Sequence, residues 1–231
     1  MPGNLIIVYF VSINPVRNWR AIVSGQLNDL HGLGILNNTH LIIVLTCDNN
    51  PNLLSESIQF ICNHLSNKPN ISYVIETHND NKFEYHGIKA LYEYSKSNQD
   101  KIFLYIHSKG MYNVANLNVR SSTERALTIE TCTNWEGILN IFNAHQHIMR
   151  VGLFPDVNGI VWYNFFFARG SYLTTCHDPA ITNDRYYYEH WLATGVRNNN
   201  DSYSVFSHNG DTYNPSTATH HLIVSLIPKY H

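Results

Sequence analysis

The feature that most constrains this chain is an alternation, across its first half, of short apolar β-branched runs with segments of helical spacing. Leu5–Val11 is an unbroken apolar run, the mark of a strand covered on both faces. Pro15–Leu30 then carries Trp19, Ile22, Val23, Leu27 and Leu30 at helical spacing, with Asn14 as the expected N-cap before Pro15. The pattern repeats as a strand at Leu41–Leu45, a helix at Leu53–Leu65 after Pro51, a strand at Ile71–Ile75, a helix at Phe83–Tyr94 and a strand at Ile102–Ile106. Four strands and three intervening helices within 106 residues come close to the ~30 residues of a βαβ unit. Such a chain is expected to be α/β, a Rossmann-like, mostly parallel central sheet flanked by helices.

The second half is less regular. Thr123–Phe142 reads as one or two helices, Ile160–Ala168 as an aromatic strand, Arg169–Leu173 as a turn, Asp184–Ala193 as a helix and Tyr203–Phe206 as a short strand. Neither a low-complexity linker nor an internal repeat divides the chain, so residues 1–231 are read as one domain.

Fifteen Lys+Arg against 17 Asp+Glu give a net charge of −2, with no basic face able to hold a phosphate backbone. Nucleic acid is therefore not an expected partner. A hydrophobic share of 44% with 14% charged residues is opposite to the composition of a disordered chain. Cys47, Cys62, Cys132 and Cys176 are far apart and form no C-x-x-C pair, which excludes a zinc ribbon or a thioredoxin-type site. Leu5–Val11 is too short for a membrane helix and no signal peptide precedes it, so the expected setting is soluble and cytoplasmic.

In an open parallel sheet, ligands bind outside the carboxyl ends of the strands. That rule selects Ser12–Asn14, Cys47–Asn50, Thr77–Asn81 and His107–Gly110. None is a Gly-rich phosphate loop, which removes the common dinucleotide and P-loop readings. His107-Ser-Lys-Gly110 is the most informative, since it sets an imidazole, a hydroxyl and an ammonium at one strand tip. Asp80 within Asn79-Asp-Asn81 has the composition of turn and N-cap chemistry, and His208-Asn-Gly-Asp211 that of a surface turn. Asp184 and Glu189 flank three tyrosines, which read equally as a core-facing aromatic stripe.

Taken in order, four segments are more specific than any one alone. They are Asn81-Lys-Phe-Glu-Tyr85, Phe103-Leu-Tyr-Ile-His-Ser-Lys-Gly110, Trp162-Tyr-Asn-Phe-Phe-Phe-Ala-Arg169 with Ser171-Tyr-Leu173, and Arg185-Tyr-Tyr-Tyr-Glu-His-Trp191. The series resembles GT-A-type glycosyltransferases of bacteria and large DNA viruses that carry a Leu-Tyr-x-His-Ser/Thr-Lys-Gly strand end. The resemblance runs over residues 5 to 210. It implies a GT-A-like domain whose residues 1–110 bind a nucleotide-diphosphate sugar, a UDP-sugar favoured, and whose residues 111–231 form the acceptor side. The implied reaction is inverting transfer to a hydroxyl of a glycan or other acceptor, usually assisted by Mn²⁺ or Mg²⁺.

On that resemblance, Phe10, Val11, Ser12, Asn14, Arg17, Asp80, His107, Ser108 and Lys109 fall on the donor side. Trp162, Tyr163, Asn164 and Arg169 would shape the sugar pocket, and Glu189, then Asp184, are the expected general bases. Asp80 and His208 are the implied metal ligands. The chain departs from the family where an Asp-x-Asp usually binds metal and diphosphate: His107-Ser-Lys109 stands there, and Lys109 could itself neutralise diphosphate charge. That departure leaves room for a non-catalytic carbohydrate-binding protein on a decayed transferase fold. A His-ligated metal hydrolase finds little footing, because His145-Gln-His147 and His220-His221 have no carboxylate at ligand spacing.

Overall fold

A computed structural model describes residues 3–37, 39–68, 70–108, 120–184, 186–198, 200–205 and 229. The chain begins β1 (Leu5–Ile13), α1 (Trp19–Gly32), β2 (His40–Cys47), α2 (Pro51–Ser66), β3 (Ser72–His78), α3 (Tyr85–Ser97) and β4 (Ile102–His107). It continues through α4 (Ser122–Cys132), α5 (Trp135–Ala144), β5 (Arg150–Gly152), β6 (Phe166–Arg169), α6 (Gly170–Leu173), α7 (Tyr186–His190) and β7 (Ser202–Ser204). One seven-stranded sheet runs in the order β3-β2-β1-β4-β6-β5-β7. Its first four strands are parallel, whereas β6 is antiparallel to both β4 and β5.

All nine residues of β1 are buried, as its unbroken apolar run requires of a strand with helices on both sides. Alternation along the strand divides the core in two. Leu5, Ile7, Tyr9, Val11 and Ile13 face a cluster with α1, α2, α4 and α5, while Ile6, Val8 and Phe10 face α3, α6 and the α7 region. Each fully buried aliphatic or aromatic side chain in these layers contributes about 1.5–3 kcal/mol by leaving water.

The expected elements of the first half are present with shifted ends. Helix α1 starts at Trp19 instead of Pro15, because Asn18 is the true N-cap, its side chain accepting from Ala21 N at 3.2 Å. Asn14 Oδ1 instead accepts from Val16 N at 3.1 Å and shapes the turn before the helix. The span Thr123–Phe142 resolves into α4 and α5.

The aromatic run at Ile160–Ala168 differs from expectation. Only its end belongs to β6, because Trp162–Asn164 forms a tight 3₁₀ turn in which Tyr163 has φ 70° and Asn164 φ 54°. A continuous strand would leave the buried Asn164 amide without partners, and the turn supplies them. Strand β6 extends to Arg169, and Gly170–Leu173 is a helical turn. Gly170 is obligatory there, since an added Cβ would lie 2.3 Å from Asn98 O.

Candidate functional site

The strand order turns back at β1. The chain lays β2 and β3 to one side of β1 and then, after α3, crosses to β4 on the other. A crevice outside the carboxyl ends of the strands follows from such a reversal. Phe10 pairs with His107, and Ser108 N donates to Phe10 O at 2.9 Å. Beyond that point Ser12 N donates to Ser108 Oγ at 3.1 Å, a side chain standing in for the ladder, while β1 continues along β2 to Ile13.

Four distant segments meet beside this reversal, through the carboxylate of Glu84 and the amide of Asn164. Glu84 occupies the N-cap position of α3 but makes no cap bond. Its Oε2 instead accepts from Tyr105 Oη at 3.2 Å and from Asn164 Nδ2 at 3.0 Å. The same Asn164 amide donates to Tyr188 O at 3.1 Å, which ties in α7. His107 Nε2 lies 3.0 Å from Tyr163 O. A carbonyl only accepts, so Nε2 carries the proton and Nδ1 faces Glu84 Oε1 at 3.8 Å. The imidazole is seated against Phe165, with ring centroids 5.1 Å apart.

Two successive non-glycine residues in the left-handed region, Tyr163 and Asn164, are held by these bonds. Such residues cost of order 1–3 kcal/mol each and persist where surroundings over-determine them, commonly at functional sites. The turn leaves the Tyr163 ring half-buried, 6.2 Å from Phe154 and close enough to Glu189 to feel its charge. Burial first and that carboxylate second push the Tyr163 phenol up. Burial, then Glu84, pushes Tyr105 well above its ordinary value, so its hydroxyl stays a proton donor to the carboxylate. A second polar chain supports β4 from behind. Tyr9 Oη donates to Gln26 Oε1 at 2.7 Å, and Gln26 Nε2 donates to His107 O and to Thr128 Oγ1, both at 3.1 Å.

Of the residues expected from sequence, the structure gathers His107, Tyr163, Asn164 and Glu189, and sets Ser12 and Ser108 at the adjoining strand ends. Trp162 is half-buried in the same turn. Asn14 and Arg17 lie in the turn after β1, where Arg17 N donates to Asn14 O at 3.1 Å. Phe10 and Val11 have side chains in the core, at 3% and 0% exposure, so only their backbone could meet a ligand. Asp184 is exposed and accepts from Tyr186 N at 2.9 Å, a cap for α7.

Arg169 is set apart from the group. It pairs with Ile102 at the amino end of β4, opposite His107, and its guanidinium donates to the carbonyls of Ile148, Phe142 and His145. Asp80 is also apart, beyond β3 at the sheet's edge, with Oδ1 2.7 Å from His86 Nε2. Lys109 and His208 lie outside the described residues. Glu84 is the residue that sequence reasoning passed over. It stood inside the quoted Asn81–Tyr85 segment, yet nothing in local spacing shows that its carboxylate turns away from its own helix.

Among the described residues no group of three His, Cys, Asp or Glu side chains converges as a metal site. Asp80 Oδ1 is engaged with His86, and His208, the other implied ligand, lies outside the described residues. Fold and site together define an α/β protein whose mostly parallel sheet gathers polar side chains beside a strand-order reversal. The chain belongs to the family of the DUF8361 domain, a domain of unknown function whose model matches residues 7–181. That span includes Glu84, His107 and the Tyr163–Asn164 turn and ends before Glu189. No curated protein matches the chain.

Proposed function

We propose that the protein is a GT-A-like glycosyltransferase that moves a sugar from a nucleotide-diphosphate donor, a UDP-sugar favoured, to a hydroxyl of a glycan or other acceptor. The observation that carries this reading is the meeting of all four motif segments at one place: Glu84, Tyr105 with His107, Tyr163 with Asn164, and Tyr188 with Glu189. The strand order supports it, because β3-β2-β1-β4 repeats the order of a mononucleotide-binding half, whose ligands sit where the order reverses.

On this reading Ser12, Asn14 and Ser108 border the nucleotide, and Trp162, Tyr163 and Asn164 border the sugar. Glu189 takes the acceptor proton as the hydroxyl oxygen bonds to the anomeric carbon, and the bond from that carbon to the diphosphate breaks with its electron pair leaving on the diphosphate. The Glu84–Asn164–Tyr188 bonds hold the segment before Glu189 against the donor side.

A thermal-shift panel of nucleotide sugars and nucleoside diphosphates, with and without Mn²⁺ or Mg²⁺, tests the reading. A ligand at 100 times its Kd should stabilise by about 2.7 kcal/mol. If no nucleoside diphosphate raises the melting temperature, the reading fails. A second reading, a binding protein without turnover, draws on the lack of a metal-ligand group among the described residues. It is separated from the first by Glu189→Gln, which lowers transfer by about 10²–10⁴-fold in an enzyme, whereas a binding protein shows only the background donor hydrolysis, the same in wild type and variant.

A further inference from the structure

The turn between β1 and α1 holds a buried cation, Arg17. Arg17 is 7% exposed, and its Nη1 is buried without a hydrogen-bond partner. Among the described residues its guanidinium makes no ion pair. A buried, unpaired guanidinium is one of the costliest arrangements a fold can keep, and buried charges are otherwise paired or hydrogen-bonded.

The surroundings add to the positive field. Two residues later α1 opens, a 14-residue helix with no acidic residue in its first turn, although helix stability alone favours Asp or Glu there. Arg20, in that first turn, has its own partner in Glu56. In sequence, the positive end of a long helix and an arginine with one buried, unsatisfied donor therefore follow each other directly after β1, the strand whose Ser12 N donates to Ser108 Oγ. Both features favour the same class of ligand, a phosphate-bearing anion.

We propose that Arg17 and the N-terminus of α1 form an anion site for the diphosphate of a nucleotide, which the chain binds without a divalent ion. The identity of the anion as a nucleoside diphosphate rests on the function proposed above, whereas the anion site does not. The arginine supplies the counter-charge to the bound diphosphate.

Calorimetric titration of the full chain in EDTA, with inorganic pyrophosphate and with UDP as probes, tests the proposal on the wild type, Arg17→Met and Arg17→Lys. Both probes should bind the wild type without metal, and Arg17→Met should lose at least about tenfold in affinity for each, about 1.4 kcal/mol. Arg17→Lys, which keeps the charge and loses the planar fork, should fall between the two. Removing an unpaired buried charge should leave the melting temperature of ligand-free Arg17→Met equal to or above that of the wild type, which separates lost binding from lost folding. Should Arg17→Met not fold, a weakened but measurable Arg17→Lys carries the same comparison.

Unchanged pyrophosphate affinity in the folded variants, or wild-type binding that appears only with Mn²⁺, overturns the proposal. Arg17-dependent pyrophosphate binding without UDP binding would leave the anion site standing and remove the nucleotide reading. UDP binding indifferent to Arg17 would do the reverse.

Discussion

At the scale of single residues, the site is organised by a carboxylate that meets β4 and the 3₁₀ turn, two segments distant in sequence. The Glu84 side chain is 16% exposed and accepts from Tyr105 and Asn164 on one oxygen while the other faces His107. Glu84→Ala removes the acceptor that Tyr105 Oη and the Asn164 amide share. The expected loss is about 1–3 kcal/mol in urea denaturation, together with weaker donor binding, because the left-handed Tyr163–Asn164 turn loses one of its ties. Glu189 is a different kind of residue, exposed enough to meet an acceptor and held by few bonds of its own. Glu189→Gln should leave the melting temperature unchanged within a degree or so while lowering turnover by about 10²–10⁴-fold, the usual worth of a general base.

His86 gives a pH signature. Burial first and the stacked His78 ring second, with centroids 3.8 Å apart, hold its pKa below the ordinary value, against the pull of Asp80. The unfolded chain then binds the proton more readily than the folded one. Stability from this group is complete above about pH 6.5 and declines as pH falls below it. Urea midpoints measured from pH 7.5 down to 5.5 should fall, and the fall should be smaller in His86→Gln. An identical slope in the variant would count against this assignment.

At the scale of elements, the periodicities of the sequence located β1 to β4 and α1 to α3, because an apolar run and a helical stripe are properties of consecutive residues. Which helix approaches the sheet closely enough to deliver Glu84 is not such a property. Helix α3 does so through Gly87, where an added Cβ would lie 2.6 Å from Phe10 Cβ and 2.7 Å from Tyr105 Oη. Gly87→Ala should therefore push the start of α3 off Tyr105 at a cost of about 1–3 kcal/mol, and weaken the Glu84 bonds with it. Denaturation curves and donor titrations of that variant check both effects. The 3₁₀ turn at Trp162–Asn164 was illegible for a related reason. A run of aromatics reads as strand until a buried amide, satisfied only by Glu84 and Tyr188 from elsewhere in the chain, bends it.

At the scale of the whole molecule, the two sequence halves share one sheet. Strand β6 from the second half lies against β4 from the first, and β5 and β7 continue the sheet beyond it. The far strands are tied by a buried ion pair, Arg150 Nη2 to Asp201 Oδ1 at 2.7 Å, with Arg150 Nη1 donating to Tyr172 Oη at 3.1 Å. Asp201→Asn leaves the arginine charge buried and uncompensated, which should cost about 3–5 kcal/mol in chemical denaturation. Replacing Arg150 and Asp201 together by Met and Leu should cost much less, since no lone charge remains.

The sequence by itself determined the α/β class, the first four strands with their helices, and the strand end at His107–Ser108, because each is written in neighbouring residues. Tertiary structure alone decided that Glu84 joins His107 and Asn164, that Arg169 belongs to the opposite end of the sheet, and that Arg17 is buried with no ion pair among the described residues. The physical reason is that hydrogen-bond partners and desolvation depend on segments eighty or more residues apart, as with Asn164 and Glu84 or Gln26 and Thr128. Local periodicity carries no record of those meetings.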